Sequence, residues 1–385
     1  MQATDFLENK FGRLVKVPAG YLAFIPNPLP PKLELSWSLV RENSAADRAL
    51  SELAGVGRLL PNPHLLINPF MRREAVLSSR IEGTQASLSD LFLFEAAGES
   101  EPRQSDVREV LNYVKALEHG LQRLEKLPVS LRLMREMHQH LMAGVRGEEK
   151  TPGEFRNKQN WIGPAGCSLG EATFVPPPVE EMVETLNQLE KYLHHPSELP
   201  PLMRLALIHY EFEAIHPFLD GNGRIGRLLL TLLLCADKLL TQPLLYLSAY
   251  FERSRKQYYD LLLAVSQRGA WHEWVTFFLR GVAEQALDAI RRSNNLISLW
   301  KVYQQRLQTV RSSALSLRLL DELFTYPAIS ISRAASRLEV TYTSAQLNME
   351  KLVNSGIVNE VTQRKRNRIF VANEIVRILE APTAD

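Results

Sequence analysis

The stretch HPFLDGNGRIGRLLLTLLLCADKLL, residues 216–240, places polar and glycine residues directly before one of the most apolar runs in the chain. An apolar run of this length, uninterrupted by proline, predicts a helix buried within a helical body, over about residues 222–239. The polar residues His216 and Asp220 would then lie at the mouth of a buried helix. Their chemistry indicates what this loop does.

The glycine-rich turn of Gly221, Asn222 and Gly223 comes immediately before this helix. Successive backbone N–H groups in such a turn can point into one concavity, where the helix dipole adds about half a positive charge. Arg224 and Arg227 lie three residues apart in the first helical turn, so both guanidinium groups project from one face and can bind phosphate oxygens. The turn is therefore predicted to bind the phosphates of a ligand.

Two further side chains complete the predicted site. Asp220 could hold a hard divalent cation that bridges phosphates, because Mg²⁺ usually takes few protein ligands and several waters. His216 titrates near neutral pH and could take a proton from an attacking hydroxyl, a contribution of about 10²–10⁴-fold. The set predicts phosphoryl or nucleotidyl transfer to a hydroxyl. The alternative is a capped structural loop that contains a hydrogen-bonded histidine.

The pattern H-P-F-x-D-G-N-G-R-x-x-R resembles the signature of the Fic (Fic/Doc) family, and residues 216–227 match every fixed position. That family is known for moving AMP from ATP to a protein hydroxyl, the reaction called AMPylation. The resemblance implies that His216 is the general base, Asp220 the Mg²⁺ ligand, and Arg227 the clamp that reaches the γ-phosphate. The implied nucleotide-binding residues are Gly221, Asn222, Gly223, Arg224, Ile225, Gly226 and Arg227.

Two other segments extend the resemblance. NWIGPAGCSLGEATFVPPP, residues 160–178, predicts a hairpin where Fic proteins have a flap, whose edge pairs with an extended target segment. SRKQYYDLL, residues 254–262, is similar to the family's segment near the adenine and makes Tyr258 and Tyr259 candidates for the base pocket. Paired aromatic residues in a helix are alternatively core residues.

The motif SSRIEGTQ, residues 78–85, places a carboxylate at a predicted helix end. Ser78 and Glu82 are four residues apart and share a helix face, and Gly83 is a natural terminator, so the dipole opposes the Glu82 charge by about 0.3–1 kcal/mol. A cation should compensate. The pattern resembles the inhibitory motif of Fic proteins whose inhibitory helix precedes the core. This implies that Glu82 pairs with Arg227 in the γ-phosphate space and that Ser78 steadies the helix; the alternative is an ordinary surface helix end.

The composition excludes bulk electrostatic attraction to nucleic acid or membranes, because 45 Lys and Arg residues face 43 Asp and Glu residues in a chain of 385. Cys167 and Cys235 lie far apart, which favours reduced thiols over a disulfide. The N-terminal residues lack a secretory signal pattern, and residues 228–240 are too short and interrupted to span a bilayer. We therefore expect a cytoplasmic protein that is not in the membrane.

The chain divides by sequence into three expected parts: an N-terminal arm and helices over residues 1–105, a Fic catalytic core over 106–298, and a winged helix-turn-helix domain over 299–385. Several prolines predict an extended arm without helix over residues 1–40. PNPHLLINPF, residues 61–70, is expected to be a connector, and FEAAGESEPRQSD, residues 94–106, a polar linker. Further helices are expected over residues 39–60, 69–81, 179–193, 201–215, 255–266 and 271–298.

In the C-terminal part, the order helix, helix, helix and two strands around a basic turn predicts a winged helix-turn-helix. Residues 341–356 are the expected recognition helix, whose base-reading side chains are chiefly Gln346 and Asn348. Winged helices bind DNA but also dock proteins, so both uses stay open. The expected wing carries four cations that could meet duplex phosphates: Arg364, Lys365, Arg366 and Arg368.

We therefore expect a mainly α-helical protein, with a Fic-type helical bundle, a β-hairpin flap and a C-terminal winged helix-turn-helix domain. By the resemblance, it transfers AMP from Mg²⁺-bound ATP to a Ser, Thr or Tyr hydroxyl of a target protein and is restrained by Glu82. The alternatives are a nucleotide-sensing DNA-binding regulator and a de-AMPylating enzyme that uses the same site. A different nucleotide donor and a homodimer are also open.

Overall fold

The protein is mainly helical in the part of the chain that the structure describes, as the sequence predicts, and it contains two small antiparallel sheets. The structure is a computed structural model. It describes residues 1, 3–7, 11–18, 20–59, 64–98, 105–164, 166–309, 313–362 and 367–383. None of the helices in those ranges is long and apolar enough to cross a bilayer.

The N-terminal segment is partly extended, as expected, but its strands pair in a β-hairpin that was not predicted, and a helix begins at Trp37, inside the range expected to lack one. Strand β1 (Gly12–Lys16) pairs antiparallel with β2 (Leu22–Pro26). The hairpin forms because both strands are rich in β-prone apolar residues, and the prolines of this segment lie in the turn between the strands (Pro18), at the last position of β2 (Pro26) or after it. The N–H of Phe24 donates to the Val175 carbonyl oxygen at 2.9 Å, which attaches the hairpin to the predicted flap.

Helices α1 (Trp37–Leu59) and α2 (His64–Ile81) follow, and α2 begins earlier than expected. Most of the predicted connector over residues 61–70 is helical, and Pro69 lies inside α2. The helix tolerates the lost backbone hydrogen bond because its apolar face is packed, with Leu66 and Phe70 buried on either side of Pro69.

Helix α3 (Leu88–Ala97) was not predicted and includes the first residues of the expected linker. It begins with a capping box in which Ser87 accepts from the Asp90 N–H and the Asp90 side chain accepts from the Ser87 N–H. The Ser-x-x-Asp spacing was the sequence signal for this helix.

The central helices pack around α8 (Asn222–Ala236), the helix predicted to be buried. Every residue of α8 from Arg224 to Leu234 is buried, and α8 contacts α4, α5 and α7. Helix α11 packs along α1 and runs past the expected end near Ser298, so the expected boundary between residues 298 and 299 falls within one continuous helix. The central helices are α4 (Ser105–Arg123), α5 (Leu131–Met142), α6 (Val179–His194), α7 (Pro201–Ile215), α8 (Asn222–Ala236), α9 (Ser248–Arg253), α10 (Arg255–Arg268) and α11 (Trp271–Thr309).

The C-terminal elements follow the order predicted from the sequence, with an additional short strand and a last helix. A three-stranded antiparallel sheet of order β3-β5-β4 packs with helices, and α12 and α15 contact α2. The winged-helix assignment itself stays a prediction. The elements are α12 (Ala314–Thr325), β3 (Ala328–Ser330), α13 (Ile331–Leu338), α14 (Tyr342–Asn354), β4 (Asn359–Glu360), β5 (Ile369–Val371) and α15 (Asn373–Glu380).

Helix α14 corresponds to the expected recognition helix, but it does not present Asn348 for base reading. Asn348 is 6% exposed, and its Oδ1 accepts hydrogen bonds from the hydroxyls of Ser313 and Ser316 at 2.9 and 2.7 Å. That expectation was wrong because the amide holds the interior of this unit together. Arg368 is paired with Glu360 at 2.7 Å. Three of the expected wing cations, Arg364, Lys365 and Arg366, lie outside the described residues.

Candidate active site

The predicted general base, His216, lies at the C-terminal end of α7 in a left-handed conformation with φ 48° and ψ 59°. The helix ends there because Pro217 follows, and a residue before proline is disfavoured in the right-handed helical region. A left-handed conformation is unusual for a residue with a side chain and costs about 1–2 kcal/mol. The surrounding structure must therefore hold His216 in place.

The imidazole of His216 has a defined tautomer. Nδ1 lies 3.2 Å from the carbonyl oxygen of Glu213, which can only accept, so Nδ1 carries the proton and Nε2 is left as the basic nitrogen. Burial lowers the pKa of His216 to about 4, and the nearby charge of Arg156 acts in the same direction. His216 is therefore neutral at pH 7, as a general base must be.

Hydrogen bonds within the loop fix the conformation of the glycine turn before α8. Gly221 adopts a left-handed φ of 76°, and its N–H donates to Asp220 Oδ1 at 2.7 Å. Asn222 is 2% exposed, and its side chain is hydrogen-bonded at 2.8 Å to both the N–H and the carbonyl oxygen of Phe218. The Asn222 side chain therefore fixes the loop, and the Ile225 side chain packs in the core.

Two glycines leave space that a larger residue would fill. A Cβ atom at Gly223 would lie 2.4 Å from Glu82 Oε1 and 2.9 Å from Arg227 Nη1. A Cβ atom at Gly226 would lie 2.4 Å from Glu213 Oε1. The missing side chain at Gly223 forms a cradle beside a guanidinium group, and in this structure a carboxylate oxygen lies against it.

The carboxylate at the cradle belongs to Glu82 of the predicted inhibitory helix. Arg227 Nη2 donates to Glu82 Oε1 at 2.7 Å, and Arg227 Nε donates to Ser78 Oγ at 2.8 Å. Helix α2 ends before Gly83, whose φ is 100°. Although burial lowers it, the charge of Glu82 holds the pKa of Arg227 above its ordinary value. Ser78, Glu82 and Arg227 therefore meet as the motif resemblance implies.

The carboxylates that pair with Arg224 differ from the one that pairs with Arg227. Arg224 Nη1 lies 3.4 Å from Glu109 Oε2, and Nη2 lies 3.6 Å from Asp220 Oδ1. Asp220 Oδ2 also accepts from Lys150 Nζ at 3.0 Å. Burial opposes it, but the hydrogen bond and charge of Lys150 together with Arg224 lower the pKa of Asp220. Asp220 is therefore an ionised carboxylate at the start of α8.

These groups fit a Mg²⁺-bound triphosphate. Arg227 Nη1 is buried, makes no hydrogen bond to the described residues and lies beside the Gly223 cradle, so it is a free donor for a phosphate oxygen. No cluster of three or more metal-ligating side chains occurs in the described ranges. Asp220 could hold Mg²⁺ only with phosphate oxygens and waters as the other ligands, which is its ordinary mode at nucleotides.

A cavity of about 530 Å³ lies at the site. His216, Glu82, Gly223 and Arg227 line it. Tyr259, one of the two tyrosines predicted for the base pocket, lines the same cavity, with Tyr210, Leu263 and Ser266.

Tyr258 does not line this cavity. It is 1% exposed, and its hydroxyl lies 2.7 Å from His209 Nε2 in the core. Neighbouring helical residues point about 100° apart, so only one of the two tyrosines can face the pocket. Tyr258 is therefore a core residue, which is the alternative that the sequence analysis left open.

The predicted flap forms one wall of the cavity. Its two arms meet in a single antiparallel bridge between Ile162 and Phe174, where the Ile162 N–H donates to the Phe174 carbonyl oxygen at 2.8 Å. Trp161, Ile162 and Phe174 line the cavity, and Trp161 is 41% exposed. The described residues of the flap therefore form a loop with one bridge rather than a long hairpin.

Several residues at the site were missed by the sequence interpretation. Lys150 pairs with Asp220, and Glu213 lines the cavity one turn before His216. Arg156 and Asn160 both donate to the His216 carbonyl oxygen at 3.1 Å. The only sequence signal for Arg156 and Asn160 was a polar run, RNKQN, directly before the flap. Side chains that bind backbone oxygens do not require a particular partner residue, so such contacts cannot be recognised in the sequence.

Comparison with known proteins agrees with this geometry. Residues 40–122 match the Fic/DOC family N-terminal model, and residues 128–234 match the Fic/DOC family model. The protein adenylyltransferase Fic of Drosophila virilis is 35% identical over 113 residues, 29% of this chain and 21% of the relative. The Drosophila melanogaster protein of the same name is 33% identical over 113 residues. The chain thus spans about a fifth of the length of these relatives.

Solved structures with the same fold include a Fic family protein from Desulfovibrio desulfuricans, with a TM-score of 0.57 at 17% identity, covering 89% of this chain and 98% of that one. A Fic domain containing signalling protein from Bacteroides thetaiotaomicron has a TM-score of 0.52 at 19% identity, covering 65% and 96%. The helical fold is therefore that of these Fic proteins. The chain carries the Fic N-terminal and Fic domains of the Fic/DOC family.

Proposed function

We propose that this protein is an adenylyltransferase that moves AMP from Mg²⁺-bound ATP to a Ser, Thr or Tyr hydroxyl of a target protein. The observation that carries the proposal is that His216, Gly223 and Arg227 line one cavity, which holds both a neutral imidazole and a cradle beside a guanidinium nitrogen that has no hydrogen-bond partner among the described residues. The relatives named protein adenylyltransferase support the same reaction class. We place the protein in the cytoplasm, with Cys167 and Cys235 as free thiols.

In the proposed reaction, the acceptor oxygen attacks the α-phosphorus and forms a phosphodiester. The bond from the α-phosphorus to the oxygen that bridges to the β-phosphorus breaks, and pyrophosphate leaves. His216 Nε2 takes the hydroxyl proton. Arg224, Arg227 and the amides of the glycine turn bind the phosphate oxygens, and Tyr259 bounds the base pocket. Mg²⁺, held through Asp220, would neutralise charge on the phosphates.

We propose further that Glu82 inhibits this reaction by occupying the γ-phosphate position. Arg227 is buried, so it requires a counter-charge, and Glu82 supplies one at 2.7 Å. A triphosphate can replace Glu82 as that counter-charge only if the carboxylate leaves the Gly223 cradle. Glu82 and ATP therefore compete for one guanidinium group.

The test uses the Glu82→Gly variant with Mg²⁺ and ATP labelled at the α- or the γ-phosphate. We expect protein-bound α-label to rise about 10-fold or more over wild type, since a contact of about 1.4 kcal/mol changes an equilibrium 10-fold. The double variant with His216→Ala is the control and should incorporate no label. Retained γ-label would instead mean a kinase. Equal α-label in wild type and Glu82→Gly would exclude inhibition by Glu82.

A second candidate is removal of AMP from a modified protein. Glu82 and His216 line the same cavity, so in the wild-type protein a carboxylate lies where it could orient a water. The substrate for its test is protein that has been AMPylated by Glu82→Gly. Wild type should release AMP from it, and Glu82→Gly should not. We do not extend the proposal to DNA binding, because Asn348 is buried within the C-terminal unit.

A further inference from the structure

Arg156 is a charged residue buried beside the general base. It lies just before the flap and is 1% exposed. Its Nε donates to the carbonyl oxygen of His216 at 3.1 Å, and its backbone N–H donates to the Pro217 carbonyl oxygen at 2.9 Å. Its Nη2 donates to the carbonyl oxygen of Pro177, where the flap ends. One side chain thus contacts both the backbone of His216 and the base of the flap.

Asn160 makes the second set of contacts to the same turn. Its Nδ2 donates to the His216 carbonyl oxygen at 3.1 Å and to the Phe218 carbonyl oxygen at 2.8 Å. The carbonyl groups of three consecutive residues, from His216 to Phe218, are therefore held from the segment that enters the flap. This turn is the one in which His216 adopts its left-handed conformation.

The guanidinium group of Arg156 is unusual because its partners are all carbonyl oxygens. No carboxylate of the described residues forms an ion pair with it. A buried cation without a counter-charge is unfavourable, and burial lowers the pKa of Arg156 to about 10. The fold keeps this unfavourable group at the point where the backbone of the general base is itself strained, which indicates a role at His216.

We propose that Arg156 is a positioning residue for AMP transfer: with Asn160 it holds the His216 backbone so that the imidazole faces the cavity, and it fixes the flap relative to that imidazole. The inference rests on the proposed function and adds a residue that the Fic signature does not contain. Arg156 does not line the cavity. It acts through His216 and leaves the phosphate-binding groups of α8 untouched.

The first test measures AMP transfer in the Glu82→Gly background with Arg156→Gln and Arg156→Lys. A misplaced base affects the chemical step, so Arg156→Gln should lower kcat by about 100-fold while the KM for ATP stays within about threefold. Arg156→Lys keeps the cation but not the forked contact, and should recover part of kcat. A rise in KM at unchanged kcat would overturn the proposal.

The matched control is Arg204→Gln. Arg204 also donates to backbone carbonyl oxygens at a helix end, those of Tyr192 and Leu193 at 2.9 and 2.7 Å, but it lies outside the cavity lining. Its loss should lower the thermal midpoint without lowering kcat. If Arg204→Gln lowers kcat as much as Arg156→Gln does, the effect is general destabilisation and the proposal fails.

The second test does not depend on activity and follows the His216 ring by NMR as a function of pH. The charged groups that act on this ring are Arg156, Glu82 and Asp220. Removing the cation in Arg156→Gln should raise the pKa of His216, whereas Arg156→Lys and Arg204→Gln should leave it unchanged. An unchanged pKa in Arg156→Gln would overturn the inference, even if AMP transfer is absent and the proposed function has failed separately.

Discussion

One oxygen atom of Glu82 lies against two features of the proposed nucleotide site. Glu82 Oε1 is 2.7 Å from Arg227 Nη2 and 2.4 Å from the point where a Cβ atom of residue 223 would lie. A glycine at position 223 and an arginine one helical turn later are therefore both needed for a carboxylate or a phosphate to bind there. In the proposed function, inhibition and substrate binding therefore use the same two residues.

The pKa of His216 gives a prediction at the residue scale. With a pKa of about 4 in the folded protein, the imidazole remains neutral as the pH falls, and the active form is lost only on passing through about pH 4. For Glu82→Gly, we expect kcat/KM, referred to fully ionised Mg²⁺-bound ATP, to be nearly constant between pH 7.5 and about 5.5. A histidine with the ordinary pKa of 6.5 would lose about 10-fold by pH 5.5, and such a loss would contradict this prediction.

At the scale of elements, the sequence predicts best what is local. The glycine turn and α8 are contiguous, so their chemistry can be seen in the residues themselves. Glu82 and Arg227 are 145 positions apart. Their pairing could nevertheless be predicted, because each motif carries the charge that the other lacks. The contacts of Arg156 could not be predicted, because they end on backbone oxygens. Pro69 inside α2 shows tertiary packing outweighing a local helix breaker.

Helix α2 depends on Ser78 as well as Glu82 to hold Arg227. Ser78→Ala removes the acceptor of Arg227 Nε and leaves a buried donor unpaired, while Glu82 still pairs with Nη2. A hydrogen bond of about 1 kcal/mol should raise AMP transfer about fivefold over wild type, less than Glu82→Gly does. The measurement is the initial rate of α-label incorporation.

Ser79→Ala is the neighbouring control for Ser78→Ala. Ser79 lies in the same helix and is also buried, but its Oγ has no hydrogen-bond partner among the described residues. Its rate should equal that of wild type. Equal stimulation by the two alanine variants would mean that loosening α2 in general, rather than losing the Ser78 contact, relieves inhibition.

For the whole molecule, buried ionisable groups set how stability depends on pH. Burial raises the pKa of Glu211 and Glu213 to about 8 and of Glu74 to about 7, so the folded protein holds protons that the unfolded chain releases above about pH 4.5. Below pH 6.5 the unfolded chain protonates histidines that the folded protein keeps neutral, among them His209 and His216, which opposes this trend. Between pH 6.5 and 8 the carboxyl groups dominate, and stability should fall as the pH rises.

Glu211→Gln tests this dependence, because Glu211 is 3% exposed and its Oε2 lacks a hydrogen-bond partner in the described structure. Each such group contributes up to about 2 kcal/mol over this range, at about 1.4 kcal/mol per pH unit. The free energy of unfolding from urea titrations should drop less between pH 6.5 and 8 in Glu211→Gln than in wild type. Parallel decreases in the two proteins would show that Glu211 is not protonated in the folded state.

Because α11 is one continuous helix, it determines where the chain can be truncated. Residues beyond 298 continue the same helix, and Tyr303 and Leu307 in this part of it are buried. The Tyr303 ring packs edge-on against the ring of Phe324 in α12, with 6.1 Å between the ring centroids. An expression clone that stops at residue 298 would cut the helix in the middle and strip Phe324 of that neighbour. A stop codon placed after the last turn of α11 would keep the whole helix but would still expose the apolar side chains near its C-terminal end.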